Sequence, residues 1–182
     1  MKTMVFFKSR NSGVWLKMLF VVLLVSSCQH DSEVVPQTAC SPQDIQKPYS
    51  SEAPHYNLNV YFAGSKANMC GYVEFRQQTD NAQFIHLDTW VHGLEPNTNY
   101  LLQRAVDMNV DGNCTSTDWL TLGKGLTPQS IMTDENGDGY AELYRSVAAI
   151  TVGTTFDIHF QILKQSDATM VLSSDCYEYT VR

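Results

Sequence analysis

The feature that most constrains this sequence is a two-residue alternation of apolar and polar side chains in two separate segments. In residues 84–91 the alternating sets are Ile85, Leu87, Thr89 and Val91 against His86, Asp88 and Trp90. In residues 156–163 they are Phe156, Ile158, Phe160 and Ile162 against Asp157, His159 and Gln161. Because successive side chains of a strand point to opposite faces, both segments are predicted to be half-buried β-strands.

Less regular alternation and turn-forming residues extend this pattern along the chain. Further strands are expected at residues 56–63, 72–77, 100–106, 119–122, 140–147, 170–172 and 177–181. Turn pairs such as Asp111-Gly112 and Asn136-Gly137 separate them, and no segment shows a sustained helical period. The sequence therefore predicts an all-β protein, specifically an antiparallel, immunoglobulin-like Greek-key β-sandwich of about eight to ten strands.

The N-terminal segment has the composition of an export signal. Residues 1–17 contain four basic and no acidic side chains, and residues 18–25 (MLFVVLLV) are all apolar. This apolar run is shorter than the roughly 18 residues needed to cross a bilayer. The following order, Val25-Ser26-Ser27-Cys28, resembles the lipobox of bacterial lipoproteins. The resemblance implies an acylated Cys28 that holds the mature protein on a membrane of the bacterial cell envelope, at the outer membrane or the cell surface. The alternative is a secreted protein with an unmodified cysteine at that place.

Composition divides the chain into three parts. Residues 28–54 are rich in Ser, Gln, Pro and Asp and show neither a helical nor a strand period, so they are expected to form a flexible tether. We therefore predict a lipoprotein signal peptide at residues 1–27, a tether at 28–54 and one β-sandwich domain at 55–182.

Charge argues against nucleic acid as a partner. The chain has a net charge of −7, and removing the basic leader leaves eight Lys and Arg against nineteen Asp and Glu, a net charge of −11. Binding to phosphates depends on clustered Lys and Arg, and the sequence shows no such cluster.

Four cysteines remain besides Cys28, and in an exported protein an even number predicts two disulfides. Spacing alone leaves three connectivities open. We favour Cys114 with Cys176 and Cys40 with Cys70.

The segment VHGLEPNTNY at residues 91–100 resembles the GLxPxxxY junction of fibronectin type III domains. That resemblance implies that Leu94 fills the core and that the Tyr100 hydroxyl bonds back to the turn backbone. About eighty residues follow the junction here, whereas that family has one strand left.

The order of two motifs is closer to the copper-zinc superoxide dismutase family and related chordin-type repeats. GYVEFRQ at residues 71–77 and GLEP at residues 93–96 look like their Gly-x-Val-x-Phe strand and Gly-Leu-x-Pro turn. The enzyme places a His-x-His copper-binding pair just after this proline, but Leu102 and Arg104 hold those positions here. The resemblance therefore implies a related fold without the metal-binding histidines.

Residues 107–118 (DMNVDGNCTSTD) match the spacing of a calcium-binding loop. The candidate ligands are Asp107, Asn109, Asp111 and Asp118, with Gly112 permitting the sharp turn. The surrounding sequence predicts strands rather than the usual helix pair. The alternative interpretation is a turn whose Asp and Asn side chains bond their own backbone.

A shorter acidic motif, DENGDG at residues 134–139, repeats part of the calcium pattern. Its twelfth position is Arg145, which cannot bind a cation, so this motif is better explained as a hairpin turn at Asn136-Gly137.

No nucleophile elbow, zinc motif, Cys-x-x-Cys pair or phosphate-binding glycine loop is present in the sequence. We expect a non-enzymatic binding or structural module at the cell surface, with an unknown protein or glycan ligand, Trp90 and Trp119 as candidate contact residues and Ca²⁺ as the one candidate cofactor. The alternative is a metalloenzyme derived from a superoxide-dismutase-like sandwich.

Overall fold

The computed structural model describes residues 57–78 and 83–182, and their regular structure is entirely β-strand. The strands in chain order are β1 (Asn57–Gly64), β2 (Cys70–Gln77), β3 (Phe84–His92), β4 (Asn99–Asp107), β5 (Leu120–Thr121), β6 (Gly123–Lys124), β7 (Thr127–Pro128), β8 (Ser130–Met132), β9 (Gly139–Ser146), β10 (Thr155–Lys164), β11 (Met170–Ser174) and β12 (Tyr177–Thr180). The all-β prediction is confirmed. These twelve strands exceed the expected eight to ten because β6, β7 and β8 have only two or three residues each, too few to show alternation.

All twelve strands belong to one sheet, which curls into a nearly closed, barrel-like sandwich. The strand order is β5-β4-β10-β11-β1-β2-β3-β9-β6-β7, with β12 paired to β10 and β8 paired to β4. The pairs are antiparallel, as predicted, except for β6 and β9, which run parallel. The sheet is therefore mixed, and the Greek-key and immunoglobulin-like connections stay predictions.

A short crossing segment, residues 120–124, helps to close the barrel. Its first residues, in β5, pair with β4, and its last residues, in β6, pair with β9. Between them, the Leu122 backbone N–H donates to the Leu102 carbonyl at 2.8 Å, and the Leu122 side chain is buried. One short stretch of chain thus connects two strands that are about forty residues apart in sequence.

The core forms where the inward positions of the strands meet. In β3 the predicted inward set is buried: Ile85, Leu87, Thr89 and Val91. In β10 the inward set Phe156, Ile158, Phe160 and Ile162 is also buried. Asp157 and Gln161, however, are buried as well, although alternation predicts them on the solvated side. The reason is tertiary: a loop lies over Asp157, and the Gln161 amide donates to Gln103 at 2.8 Å.

The turn between β3 and β4 has the predicted tyrosine corner. Leu94 and Tyr100 are buried, and the Glu95 backbone N–H donates to the Tyr100 hydroxyl at 3.0 Å. Gly93 has a positive φ of 69°, and a Cβ at this position would lie 2.0 Å from the Asn68 carbonyl oxygen. Only glycine fits this backbone without displacing the neighbouring turn.

The described residues belong to one of the two compact units of the chain, Val35–Arg182. Among them there is no helix long and apolar enough to cross a membrane. The predicted signal peptide, the lipidated Cys28 and the whole predicted tether lie outside the described residues, and these stay predictions.

Candidate functional site

Two of the rows that the outward side chains of β1, β2, β3 and β9 form across the sheet lie side by side, because strand register places their members opposite one another. One row, here called the aromatic row, is Tyr61, Tyr72, Trp90 and Tyr140. The next row, called the acidic row, is Asn59, Glu74, Asp88 and Glu142. A third row, Asn57, Arg76, His86 and Tyr144, lies beside them. Residues opposite one another in neighbouring strands share a face and contact each other, so the two rows lie side by side on what we call the acidic face.

The rings of the aromatic row pack against one another. Their centroids are 5.2 Å apart for Tyr61 and Tyr72, 5.6 Å for Tyr72 and Trp90, and 5.0 Å for Trp90 and Tyr140. Tyr72 is buried and its hydroxyl donates to Asn59 Oδ1 at 2.7 Å, whereas Tyr140 is 46% exposed. The row therefore stiffens the face, and its exposed end is at β9.

The acidic row concentrates negative charge. Burial, followed by the charges of Glu74 and Glu142, raises the pKa of Asp88 above its usual range. Burial and the charges of Asp88 and Glu142 together raise the pKa of Tyr140 to about 12. Its hydroxyl donates to Glu142 Oε1 at 3.3 Å and to Asp88 Oδ1 at 3.5 Å. Asp88 and Tyr140 therefore titrate as members of a crowded negative cluster.

Within the described residues, the only ion pair to this row comes from Arg76, whose Nη2 lies 2.9 Å from Glu74 Oε1. The same guanidinium also donates to two backbone carbonyls and to Asn59. No ion pair from the described residues reaches Asp88 or Glu142. The charge of His86, two residues earlier on β3, lowers the pKa of Asp88, but by less than burial and the two carboxylates raise it.

On the opposite side of the sandwich, residues 108–119 lie over the outward surface of β10, which we call the covered face. The disulfide between Cys114 and Cys176 holds this loop to the junction of β11 and β12, as predicted. His159 Nε2 lies 3.0 Å from the Ser116 carbonyl oxygen, and its ring packs against that of Trp119 at a tilt of 37°, with a centroid distance of 4.6 Å. Trp119 therefore packs against His159, the β10 residue that supports this loop.

The buried carboxylate of Asp157 anchors the same loop from below. The backbone N–H groups of Asp111 and Gly112 donate to its Oδ2 at 2.9 and 2.7 Å. Its other oxygen, Oδ1, is buried without a hydrogen-bond partner among the described groups. In register, Asp157 lies between Asp107 on β4 and Glu178 on β12. Sequence analysis missed this anchor, because alternation assigned Asp157 to solvent.

Three of the four predicted calcium ligands, Asp107, Asn109 and Asp111, make local hydrogen bonds through their side chains. Asp107 accepts from the backbone N–H groups of Thr115 and Ser116, both at 3.1 Å. Asp111 Oδ1 accepts from the Asn113 backbone N–H at 2.9 Å, and Asp111 Oδ2 accepts from the Asn109 side-chain amide. At the end of the loop, the Asp118 backbone N–H donates to the Ser116 hydroxyl.

These contacts are those expected of the alternative interpretation, a turn that bonds its own backbone. Across residues 57–78 and 83–182, no group of three or more His, Cys, Asp or Glu side chains could hold a metal ion. Calcium binding by the 107–118 loop stays a prediction.

The DENGDG motif forms the turn between β8 and β9. The Asp134 carboxylate accepts from the backbone N–H groups of Asn136 and Asp138, at 2.8 and 3.0 Å, and these bonds lower its pKa. Gly137 has a φ of 83°, as the predicted Asn136-Gly137 turn requires. His92 Nδ1 pairs with Asp138 Oδ1 beside this turn.

The described histidines lie on different surfaces. His86 is on the acidic face next to Tyr144, His92 pairs with Asp138, and His159 supports the loop of the covered face. Leu102 is in the core and Arg104 is half-buried at the positions where the dismutase family has its His-x-His pair. Nothing in the described part of the chain brings histidines together for metal catalysis.

The described residues include only one cysteine of the second predicted disulfide, Cys40 with Cys70. Cys70 is disulfide-bonded, and its predicted partner, Cys40, lies outside the described residues.

The comparisons with known proteins give no relative: no family model, no curated protein and no solved structure matches this chain.

Proposed function

We propose that the protein is an exported, lipid-anchored binding module, not an enzyme, and that the acidic face is its binding surface. The lipobox resemblance at Cys28 and the polar segment that follows support a domain held near a membrane. A rigid sheet face with two aligned rows supports binding, because such a face keeps its side chains in place without ordering them on contact.

The best-supported ligand is a basic segment of a partner protein. The observation that carries this proposal is the register that places Glu74, Asp88 and Glu142 side by side. Burial and, after it, the charges of the two neighbours raise the pKa of Asp88. A Lys or Arg side chain placed beside this row would relieve the repulsion between the carboxylates. The neighbouring rings of Trp90 and Tyr140 would contact its alkyl stem or its charge.

The net charge of −11 expected for the mature chain supports the same ligand class. It attracts positively charged partners over distances of about 10 Å at 0.1 M salt. Association should therefore be fast at low ionic strength and slower at high ionic strength.

The test is binding of a fluorescent octalysine peptide to the full chain, purified from membranes in a non-ionic detergent and followed by anisotropy. Wild-type protein should bind, more weakly as salt rises. The triple variant Glu74→Gln, Asp88→Asn, Glu142→Gln should lose about tenfold in affinity. Three partly exposed ion pairs of about 0.5 kcal/mol each amount to roughly that factor.

A charge-matched control removes three exposed carboxylates elsewhere, through Glu135→Gln, Asp175→Asn and Glu178→Gln. It should keep the wild-type affinity within about twofold. An equal loss in both variants would show that only net charge matters and would refute a binding site on the acidic face.

A glycan is the second candidate ligand, favoured by the exposed end of the aromatic row at Tyr140. Binding of the same protein to an array of saccharides tests this second candidate. Binding that is insensitive to salt and is lost in Tyr140→Ala, with no octalysine binding, would replace the basic ligand by a sugar.

A further inference from the structure

Two arginines face the interior of the barrel. Arg104 lies opposite the core residue Phe160 and two positions from the core residue Leu102. Arg145 lies opposite the core residue Ile85, and its neighbours two positions away, Leu143 and Val147, are buried. Strand alternation therefore directs both side chains inward, and both are half-buried.

The crossing segment 120–124 brings these arginines near each other. Arg104 on β4 is in register with Leu120, at the start of that segment. At its other end the segment pairs with β9, and Arg145 Nη1 donates to the Gly125 carbonyl at 3.1 Å. Arg104 thus lies beside the start of this segment and the Arg145 guanidinium just beyond its end, and the charge of Arg145 acts on Arg104.

Their charges have no counterion in the described part of the chain. Neither arginine takes part in an ion pair there, and Arg104 makes no hydrogen bond to a described group. Burial, together with the charge of Arg145, lowers the pKa of Arg104. A half-buried guanidinium without an acceptor, beside a second cation, is unfavourable unless something supplies negative charge.

We propose that Arg104 and Arg145 form a binding site for a small oxyanion, either a free anion or the phosphate or carboxylate group of a larger molecule. A guanidinium presents five N–H donors in a planar fork that fits such oxygens, and Arg145 uses one of them on Gly125. This site is independent of the acidic face, which lies on the outside of the sandwich and carries the opposite charge.

The first experiment measures the thermal unfolding midpoint of the full chain in detergent, with chloride exchanged for inorganic phosphate at constant ionic strength. A ligand that binds only the native state raises the midpoint. We expect a rise of about 2–5 °C at saturating phosphate. A parallel titration with glucose 6-phosphate and with acetate distinguishes a free anion from an anionic group on an organic molecule.

Two variants locate the effect. Arg104→Leu should abolish the phosphate-dependent rise. Arg145→Gln should abolish the phosphate-dependent rise as well. Because the Arg145 side chain makes a single hydrogen bond to the backbone, this variant should fold and keeps the test valid if Arg104→Leu does not fold. Lys66→Gln removes an exposed positive charge from the β1–β2 turn and should keep the full rise.

A wild-type midpoint unchanged by phosphate, glucose 6-phosphate and acetate would overturn the proposal. Retention of the rise in either arginine variant would overturn the paired site. Loss of the rise in Lys66→Gln would assign it to general charge screening and overturn the proposal too.

Discussion

The acidic face and the covered face place carboxylates in opposite surroundings. On the acidic face, Asp88 lies between two other carboxylates, and burial together with their charges raises its pKa. On the covered face, Asp157 is more deeply buried, yet two backbone N–H groups donate to one of its oxygens. Both residues alternate outward on their strands.

The two carboxylates differ in the groups that surround them. Backbone donors make a buried carboxylate part of the folded structure, since its negative charge is matched by fixed dipoles. Neighbouring carboxylates instead destabilise one another, and their repulsion persists unless a cation binds beside them. The covered face therefore contributes to stability, whereas the acidic face retains electrostatic repulsion, which is the reason for proposing a cationic ligand there.

The largest expected loss of stability comes from removing the disulfide that holds the loop of the covered face. Cys114 and Cys176 are 62 residues apart in sequence, so their bond restricts a long loop of the unfolded chain. The double variant Cys114→Ser, Cys176→Ser should lose about 3–4 kcal/mol of unfolding free energy. Urea unfolding of variant and wild type, both without reductant, measures this loss. A difference below about 1 kcal/mol would mean that the loop is held by its hydrogen bonds and not by the disulfide.

The anchoring carboxylate should have the next largest effect. Asp157→Ala removes the acceptor of two backbone N–H groups beneath the loop and should cost about 2 kcal/mol in unfolding free energy. Asp157→Asn keeps one acceptor oxygen and should cost less. The exposed Asp175→Ala is the control and should change stability by less than about 0.5 kcal/mol. If the Ala and Asn variants were equally stable, the hydrogen bonds to Asp157 would not be what holds the loop.

The acidic face was not predictable from the sequence, although its strands were. Alternation identifies residues 84–91 as a strand and places Asp88 and Trp90 outward. It cannot tell that Trp90 lies opposite Tyr140, fifty residues later, because that depends on the register of two strands that are not consecutive in the chain. Local motifs did better: the tyrosine corner and the Cys114–Cys176 bond are both present.

On the covered face, the local turn is predictable from the sequence but its partner from a distant strand is not. The Asp and Asn spacing in residues 107–118 predicts a calcium-binding loop or, as the alternative, a turn that bonds its own backbone, and the hydrogen bond of such a turn is present at Asp111. What the spacing omits is the partner from β10, since Asp157 has no sequence relation to the loop that lies over it. In the sequence, Arg104 stands out only because it occupies the place of a histidine, whereas its burial near the charge of Arg145 makes it a candidate ligand-binding residue.

The smallest expected effect tests the acidic face directly, through Asp88→Asn. Because the folded-state pKa of Asp88 is raised, the folded protein takes up this proton more readily than the unfolded chain. The charged carboxylate therefore destabilises the fold above its folded pKa, and this penalty disappears as pH falls below the ordinary value of 3.8. The variant lacks the penalty at every pH.

Asp88→Asn should thus be more stable than wild type near about pH 7, by less than about 0.5 kcal/mol, with the difference closing towards about pH 3.5. Urea midpoints at several pH values measure this, and Asp175→Asn, an exposed site outside the row, should show no such convergence. Greater stability of the wild type at neutral pH would mean that Asp88 has a favourable partner. The acidic face would then resemble the covered face, and the argument for a cationic ligand would lose its support.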